Sequence, residues 1–339
     1  MGLRALNNSN SSFEDVFSNT GTDAAGVKPP GPAVTSSGGT QILDPVGKVT
    51  YHVFTHDNAP PSSAAPFTVT GPLNVYYLVV GGGGGGGYNS GGGGGAGALR
   101  SNHPDMPAPL RGSAYPVAPG TTYNIKVNAG GPAGTSNKDR EGGQSELGAS
   151  NPTPITSDGG GTGGNTENPG QNSPGNGSGG GGGNNYTHLS TTGGSGGAYG
   201  NNGGGQNSNP VGTGGGGGGG AGEAGYDSGN VPVAPTRGAG GDGLQIPSLP
   251  GPVISPGIPS PHQSAFETAV GPTGWFAGGG AGQADAGGQK PGGDGGGGNG
   301  GPSTDSSNGV YGTGGGGGGS VPQGMAGGNG LIVLYWEWE

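Results

Sequence analysis

Apolar residues gather in five short runs, each with the β-branched and aromatic content of a strand. The runs are residues 47–55, 65–70, 73–80, 121–128 and 331–338, and the most apolar stretches among them are Val75-Tyr76-Tyr77-Leu78-Val79-Val80 and Leu331-Ile332-Val333-Leu334-Tyr335-Trp336. Four runs lie towards one end of the chain and the fifth at the other. A small all-β unit built from N- and C-terminal strands is therefore expected to hold the hydrophobic core. Little or no α-helix is expected anywhere.

Between the runs, hydrophobic patterning gives way to glycine. Residues 81–330 read as glycine blocks (81–87, 91–95, 179–183, 214–220, 295–298, 314–319) separated by polar inserts. A helix would cost about 1 kcal/mol per glycine relative to alanine, and a strand without side chains gains nothing from cross-strand pairs. Polyproline-II geometry remains, with three residues per turn and no internal hydrogen bonds. Rods of this kind, packed side by side, can satisfy one another's N–H and C=O groups. Seven residues then span about 22 Å. The expected fold is a bundle of polyglycine-II helices linked by loops and closed by the all-β cap. The absence of a Gly-X-Y period excludes collagen.

Three regions follow. Residues 1–39 are polar and irregular and are read as an attachment segment, with Phe13, Val16 and Phe17 as the apolar docking candidates; a loose tail fits the same composition. Residues 40–80 supply cap strands, completed by 121–128 and 331–338, and residues 81–330 form the bundle. Inserts at 98–118, 165–176, 184–192, 223–237, 245–276 and 302–311 are expected as loops at its ends, where a rigid scaffold places function.

Composition narrows the classes. Gly and Pro (95 and 31 of 339 residues) make up about 37% of the chain, a level at which low complexity is the first expectation. Only 9% of residues are charged, a poor match to ordinary disorder. The net charge is -10, with no cluster of Lys or Arg, so neither nucleic acid nor an anionic membrane is an expected partner. No cysteine is present, which removes disulfides and thiolate metal sites. The N-terminus lacks the pattern of a signal peptide, and the apolar runs are too short to span a bilayer. Synthesis in a cytoplasm without export is expected.

Candidate chemistry is sparse. Glycine runs match phosphate loops trivially, but Gly47-Lys48 is followed by Val49 in place of the required hydroxyl residue. His52 and His56 share a strand face without a third ligand, and Glu223, Asp227, Asp242, Glu267 and Asp285 are scattered among inserts. No enzymatic activity, cofactor or metal is expected. Trp275 and Phe276, with Phe266 and His262 in the same insert, form an aromatic set suited to a sugar or a protein surface; packing against the bundle would use Trp275 and Phe276 equally well. Tyr186, Tyr199 and Tyr226 carry the same ambiguity, as does Tyr311.

The order of these features resembles the glycine-rich domains of bacteriophage virion proteins, including marine-phage types. The resemblance rests on Tyr77-Leu78-Val79-Val80 running into glycine, the Pro119-Gly120-Thr121-Thr122-Tyr123 strand, Gly142-Gly143-Gln144-Ser145, and the terminal Gly327-Gly328-Asn329-Gly330-Leu331-Ile332-Val333. It covers about residues 45–339. It implies a tail-fibre or tail-tip adhesin in which a polyglycine-II bundle presents loops to a host surface polysaccharide or outer-membrane protein, residues 1–39 meeting other virion proteins. Trp275, Phe276, Phe266, His262, Tyr226, Tyr186 and Tyr199 are then the receptor-binding candidates. A purely structural fibre or decoration of the virion is the alternative, and an ice-binding protein a more distant one.

Overall fold

The computed structural model describes residues 34–108, 110–135, 139–151, 153–166, 168–184, 191–206, 214–228, 238–284, 288–302 and 304–338. Phe13, Val16, Phe17 and Tyr186 lie outside the described residues. Regular secondary structure is mostly β-sheet, with little helix. The strands are β1 (Ser36–Ser37), β2 (Thr40–Asp44), β3 (Val49–Thr55), β4 (Ala65–Val69), β5 (Leu73–Val80), β6 (Leu99–Ser101), β7 (Tyr115–Val117), β8 (Tyr123–Lys126), β9 (Ser145–Leu147), β10 (Ile155–Ser157), β11 (Leu244–Gln245), β12 (Trp275–Phe276) and β13 (Leu331–Glu337). Helices α1 (Gly251–Ile254) and α2 (Gln263–Val270) lie between β11 and β12.

Two antiparallel sheets form a sandwich. One has the order β2-β3-β13-β5-β6 with β7 also on β5, and the other has the order β1-β4-β8-β9-β10. The C-terminal β13 lies between β3 and β5, with Val333 opposite Val53 on one side and Leu78 on the other. Successive side chains of a strand face opposite ways, and here both faces are covered. Ile332, Leu334 and Trp336 join Phe54, Phe67, Tyr77, Val79 and Ile125 between the sheets. Leu331, Val333 and Tyr335 join Val53, Leu78 and Val80 on the outer face. A strand buried on both faces reads as a continuous apolar run, which is why β5 and β13 stand out in the sequence.

The outer face is covered by residues 246–276. Ile246, Leu249, Ile254, Ile258, Phe266, Val270 and Phe276 pack on it, and a Cβ at Gly257 would fall 2.5 Å from the Val53 side chain. The expected exposed loop at 245–276 is thus corrected: it is a partly helical cover over the core, because its apolar residues have a sheet face to bury against. The boundary at residue 39 is corrected as well. β1 pairs with β4, and Ser36 reaches His52, so residues 34–39 belong to the sandwich.

Glycine segments continue directly from the strands. Residues 92–98 show how they pack. Their N–H groups bond in rotation to three neighbours: Gly92, Gly95 and Ala98 to the carbonyls of Gly164, Gly161 and Asp158; Gly93 and Ala96 to Gly216 and Gly219; Gly94 and Gly97 to Gly317 and Gly314, all at 2.8–2.9 Å. Three further segments donate to it, from Gly81, Gly84 and Gly87, from Ser178 and Gly181, and from Gly280, with Gln283 donating to the adjoining Gly91. One extended segment therefore has six backbone neighbours, and each direction recurs every third residue. Residues 215–221 repeat the scheme, bonding to Gln283, Gly182 and Tyr226, then to Gly280, Gly179 and Glu223, then to Ala277.

At most of its glycines this packing leaves no room for a side chain. A Cβ on Gly94 would lie 2.1 Å from the Gly84 carbonyl oxygen, one on Gly84 2.2 Å from that of Gly161, and one on Gly216 2.2 Å from that of Gly204. Gly134, by contrast, would meet nothing closer than 3.8 Å. Gly94→Ala is expected to destabilise the protein by about 3 kcal/mol or more, as overpacking against immovable backbone does, whereas Gly134→Ala stays within about 0.5 kcal/mol of wild type. Thermal and denaturant unfolding monitored by circular dichroism would check the contrast.

Candidate functional site

The neck of the covering insert creates the candidate site. β11 and β12 pair with Leu244 opposite Phe276 and Gln245 opposite Trp275, and the Ile246 N–H donates to the Gly274 carbonyl at 2.8 Å. Strand alternation turns adjacent aromatics to opposite sides. Phe276 enters the core, 6.3 Å from the Phe266 ring, and Trp275 remains half-buried at the surface. There it lines an open pocket of about 380 Å³ with Asp105, Glu223, Asp242, Leu244 and Gln245.

Three chain segments bring the carboxylates together. The Asp242 carbonyl accepts the N–H groups of both Gly222 and Glu223, which fixes the 220–223 turn against residues 241–243. Asp242 Oδ1 accepts the Asp294 N–H at 2.8 Å. The Tyr226 hydroxyl donates to Glu223 Oε1 at 2.7 Å. On the far wall, Asp105 Oδ2 accepts the Ser248 N–H at 2.9 Å and lies 3.1 Å from His103 Nδ1. Burial, above all, pushes the Asp242 carboxyl upward; the hydrogen bond from the Asp294 N–H opposes the rise, and the charges of Asp294 and Glu223 add to it. The hydrogen bond to Glu223 does most to raise the Tyr226 phenol. The result is a shallow acceptor-rich pocket with one indole, able to bind hydroxyl or ammonium donors beside a flat apolar surface.

The aromatic candidates separate. Trp275 lines the pocket and Tyr226 reaches it through Glu223. Phe266 and Phe276 are fully buried, and their reading as receptor contacts is corrected: burial against the sheet outweighs exposure for two phenylalanines with a core at hand. His262 stacks on Tyr311, centroids 4.3 Å apart and planes at 2°, beside a different pocket formed with residues 307–311 and 326–329. Tyr199 lies under the Arg100 guanidinium, 4.8 Å from centroid to Cζ. Glu223 and Asp242 look unrelated in sequence, and nothing local marks Asp105 or Asp294 as their neighbours. Only the backbone bonds between segments join them.

The two strand histidines do not converge on a common point. His52 Nδ1 donates to the Gly38 carbonyl at 2.7 Å, its Nε2 accepts from Ser36 Oγ at 2.7 Å, and burial lowers its pKa. His56 Nδ1 instead pairs with the Val127 carbonyl at 3.1 Å. Among the described residues no group of three or more His, Asp or Glu is arranged to hold a metal ion.

Comparison with known proteins adds one match. The model of a family described as a glycine-rich domain matches residues 62–337. No curated protein and no solved structure matches the chain.

A raised carboxyl pKa means that ionisation opposes the native state, so the cost appears as pH rises above the unfolded value near 3.9. Asp242→Asn keeps an oxygen for the Asp294 N–H and removes the charge. It is expected to melt higher than wild type at pH 7, by an increment kept small by solvent screening of a partly exposed group, with the gain vanishing as pH falls below the carboxyl range. Melting temperatures of both proteins from pH 3 to pH 8 would check this.

Proposed function

Since the chain belongs to the glycine-rich domain family, we propose that it is a non-enzymatic adhesin of a bacteriophage tail fibre or tail tip, binding a sugar of the host cell surface at the Trp275 pocket. In this reading the glycine segments are a polyglycine-II bundle and the β-sandwich is its cap. What supports the bundle is the three-residue rotation of hydrogen bonds around residues 92–98, the repeat that three residues per turn requires. The residues that precede the sandwich, with Phe13, Val16 and Phe17, would join it to other virion proteins, and assembly would take place in the host cytoplasm.

One observation carries the binding role: an indole left half-exposed beside Glu223, Asp242 and Asp105 in an open pocket. An indole face suits the C–H surface of a sugar ring. Ionised carboxylates accept hydrogen bonds from its hydroxyl groups. Such pairs, held by a rigid backbone, give contact area at low entropic cost.

The purified protein applied to a panel of bacterial surface polysaccharides is expected to bind a subset. Trp275→Ala should weaken that binding at least tenfold, about 1.4 kcal/mol, with an unchanged melting temperature. Undiminished binding by the variant would sink the pocket assignment. Antibody labelling of intact particles tests the location: label at the tail tip supports the adhesin reading, and label confined to the head favours a structural decoration.

A further inference from the structure

A second pocket has the opposite electrostatic character. It measures about 470 Å³ and is lined by Tyr77, Arg100, Tyr115, Tyr123, Ser113 and Asn151 among others, with no carboxylate in its wall. The three tyrosines form a chain of inclined rings, Tyr77 to Tyr115 at 6.0 Å and 79° and Tyr115 to Tyr123 at 5.9 Å and 64°. Tyr123 is held by donation of the Ala118 N–H to its hydroxyl at 3.0 Å. Gly112 lies so close to the Tyr77 hydroxyl that a Cβ there would fall 2.0 Å from it. The pocket's shape therefore depends on a missing side chain as well as on the rings.

Arg100 supplies the charge. It extends from β6, donates from Nη1 to the Thr156 carbonyl at 3.1 Å, and stacks its guanidinium on Tyr199. These contacts hold the planar group in place and leave its remaining N–H donors uncommitted. Among the described residues the ion pairs are His103–Asp105 and Lys126–Glu146, so no carboxylate neutralises Arg100. In a chain of net charge -10, a fixed and uncompensated guanidinium in an aromatic pocket stands apart.

We propose that this pocket binds an acidic monosaccharide unit, its anionic group on the Arg100 guanidinium and its ring against Tyr115. The volume lies within the usual range for small-ligand sites. A guanidinium presents paired donors that match a carboxylate or sulfate, the part-exposed Tyr115 takes the C–H surface of the ring, and Ser113 and Asn151 offer neutral partners to its hydroxyls. The acid-lined Trp275 pocket repels the same ligand. The two sites thus sort sugars by charge, and this one stands whether or not the protein is an adhesin.

The test is calorimetric titration of the full chain at low ionic strength with glucuronate, glucose 6-sulfate, glucose and sodium sulfate. At least one acidic sugar is expected to bind with Kd in the millimolar range or tighter, and at least tenfold more tightly than glucose or sulfate alone. Whether glucuronate or glucose 6-sulfate binds identifies the anion. Arg100→Gln should weaken binding at least tenfold and Tyr115→Ala several-fold, while Trp275→Ala leaves it unchanged. If Arg100→Gln fails to fold, Tyr115→Ala decides. No binding of either acidic sugar at 20 mM, on the order of twenty times a 1 mM Kd, overturns the proposal. So does equal affinity for glucose or for sulfate, and so do Arg100→Gln and Tyr115→Ala variants that bind as wild type does.

Discussion

Backbone hydrogen bonding between glycine segments is the constraint on which the rest of this protein depends. At the glycines of a segment with six neighbours, the carbonyl oxygens that a Cβ would strike lie about 2 Å from its position, and within residues 92–98 nothing larger than the methyl groups of Ala96 and Ala98 is accommodated. Ordering glycine carries the largest conformational cost of any residue. That cost is offset by bonds to three partners in turn and by acceptance from three more, so that buried N–H and C=O groups find partners. Because neighbouring segments come from remote parts of the chain, such as residues 92–98 bonded to 216–219 and 314–317, no segment is ordered until several are.

Side-chain chemistry is consequently expelled to the margins. The two-sided sheet around β13 concentrates nearly all large apolar residues, one face against the second sheet and the other beneath residues 246–276. That insert is a structural cover whose neck leaves Trp275 at the surface. The polar pockets likewise form where segments turn or where strands feed into the bundle. One pocket gathers carboxylates around an indole and the other places an unpaired guanidinium among tyrosines. The two pockets of one scaffold thus differ in charge.

Much of the β-structure was legible in the chain. Runs 73–80 and 331–338 are buried on both faces, and such strands advertise themselves as continuous apolar stretches. The shorter strands β6, β7, β9 and β10 were not legible, since three residues such as Leu99-Arg100-Ser101 carry no period of their own. Phe266 illustrates the same limit in the insert. Its neighbours are spaced as in an amphipathic helix, but an aromatic residue among prolines and glycines reads equally well as an exposed contact. The sheet face that buries it is made of residues remote in sequence, Val53, Leu78 and Val80 on one side of the chain and Leu331, Val333 and Tyr335 on the other. Trp275 and Phe276 were indistinguishable until their strand pairing turned one inward and one outward.

By itself, the sequence determined that glycine blocks must be ordered through backbone contacts if at all, because they have no side chains to bury, and that the strands at its two ends must share a core. Tertiary structure alone decided which segments became neighbours. Hydrogen bonds between identical glycine backbones carry no address that can be read from the residues, so the partners of residues 92–98 follow from the register of the whole bundle. Through that register Glu223 meets Asp242. Strand pairing in the sandwich is equally non-local, and it sets Arg100 on β6 beside Tyr115 on β7.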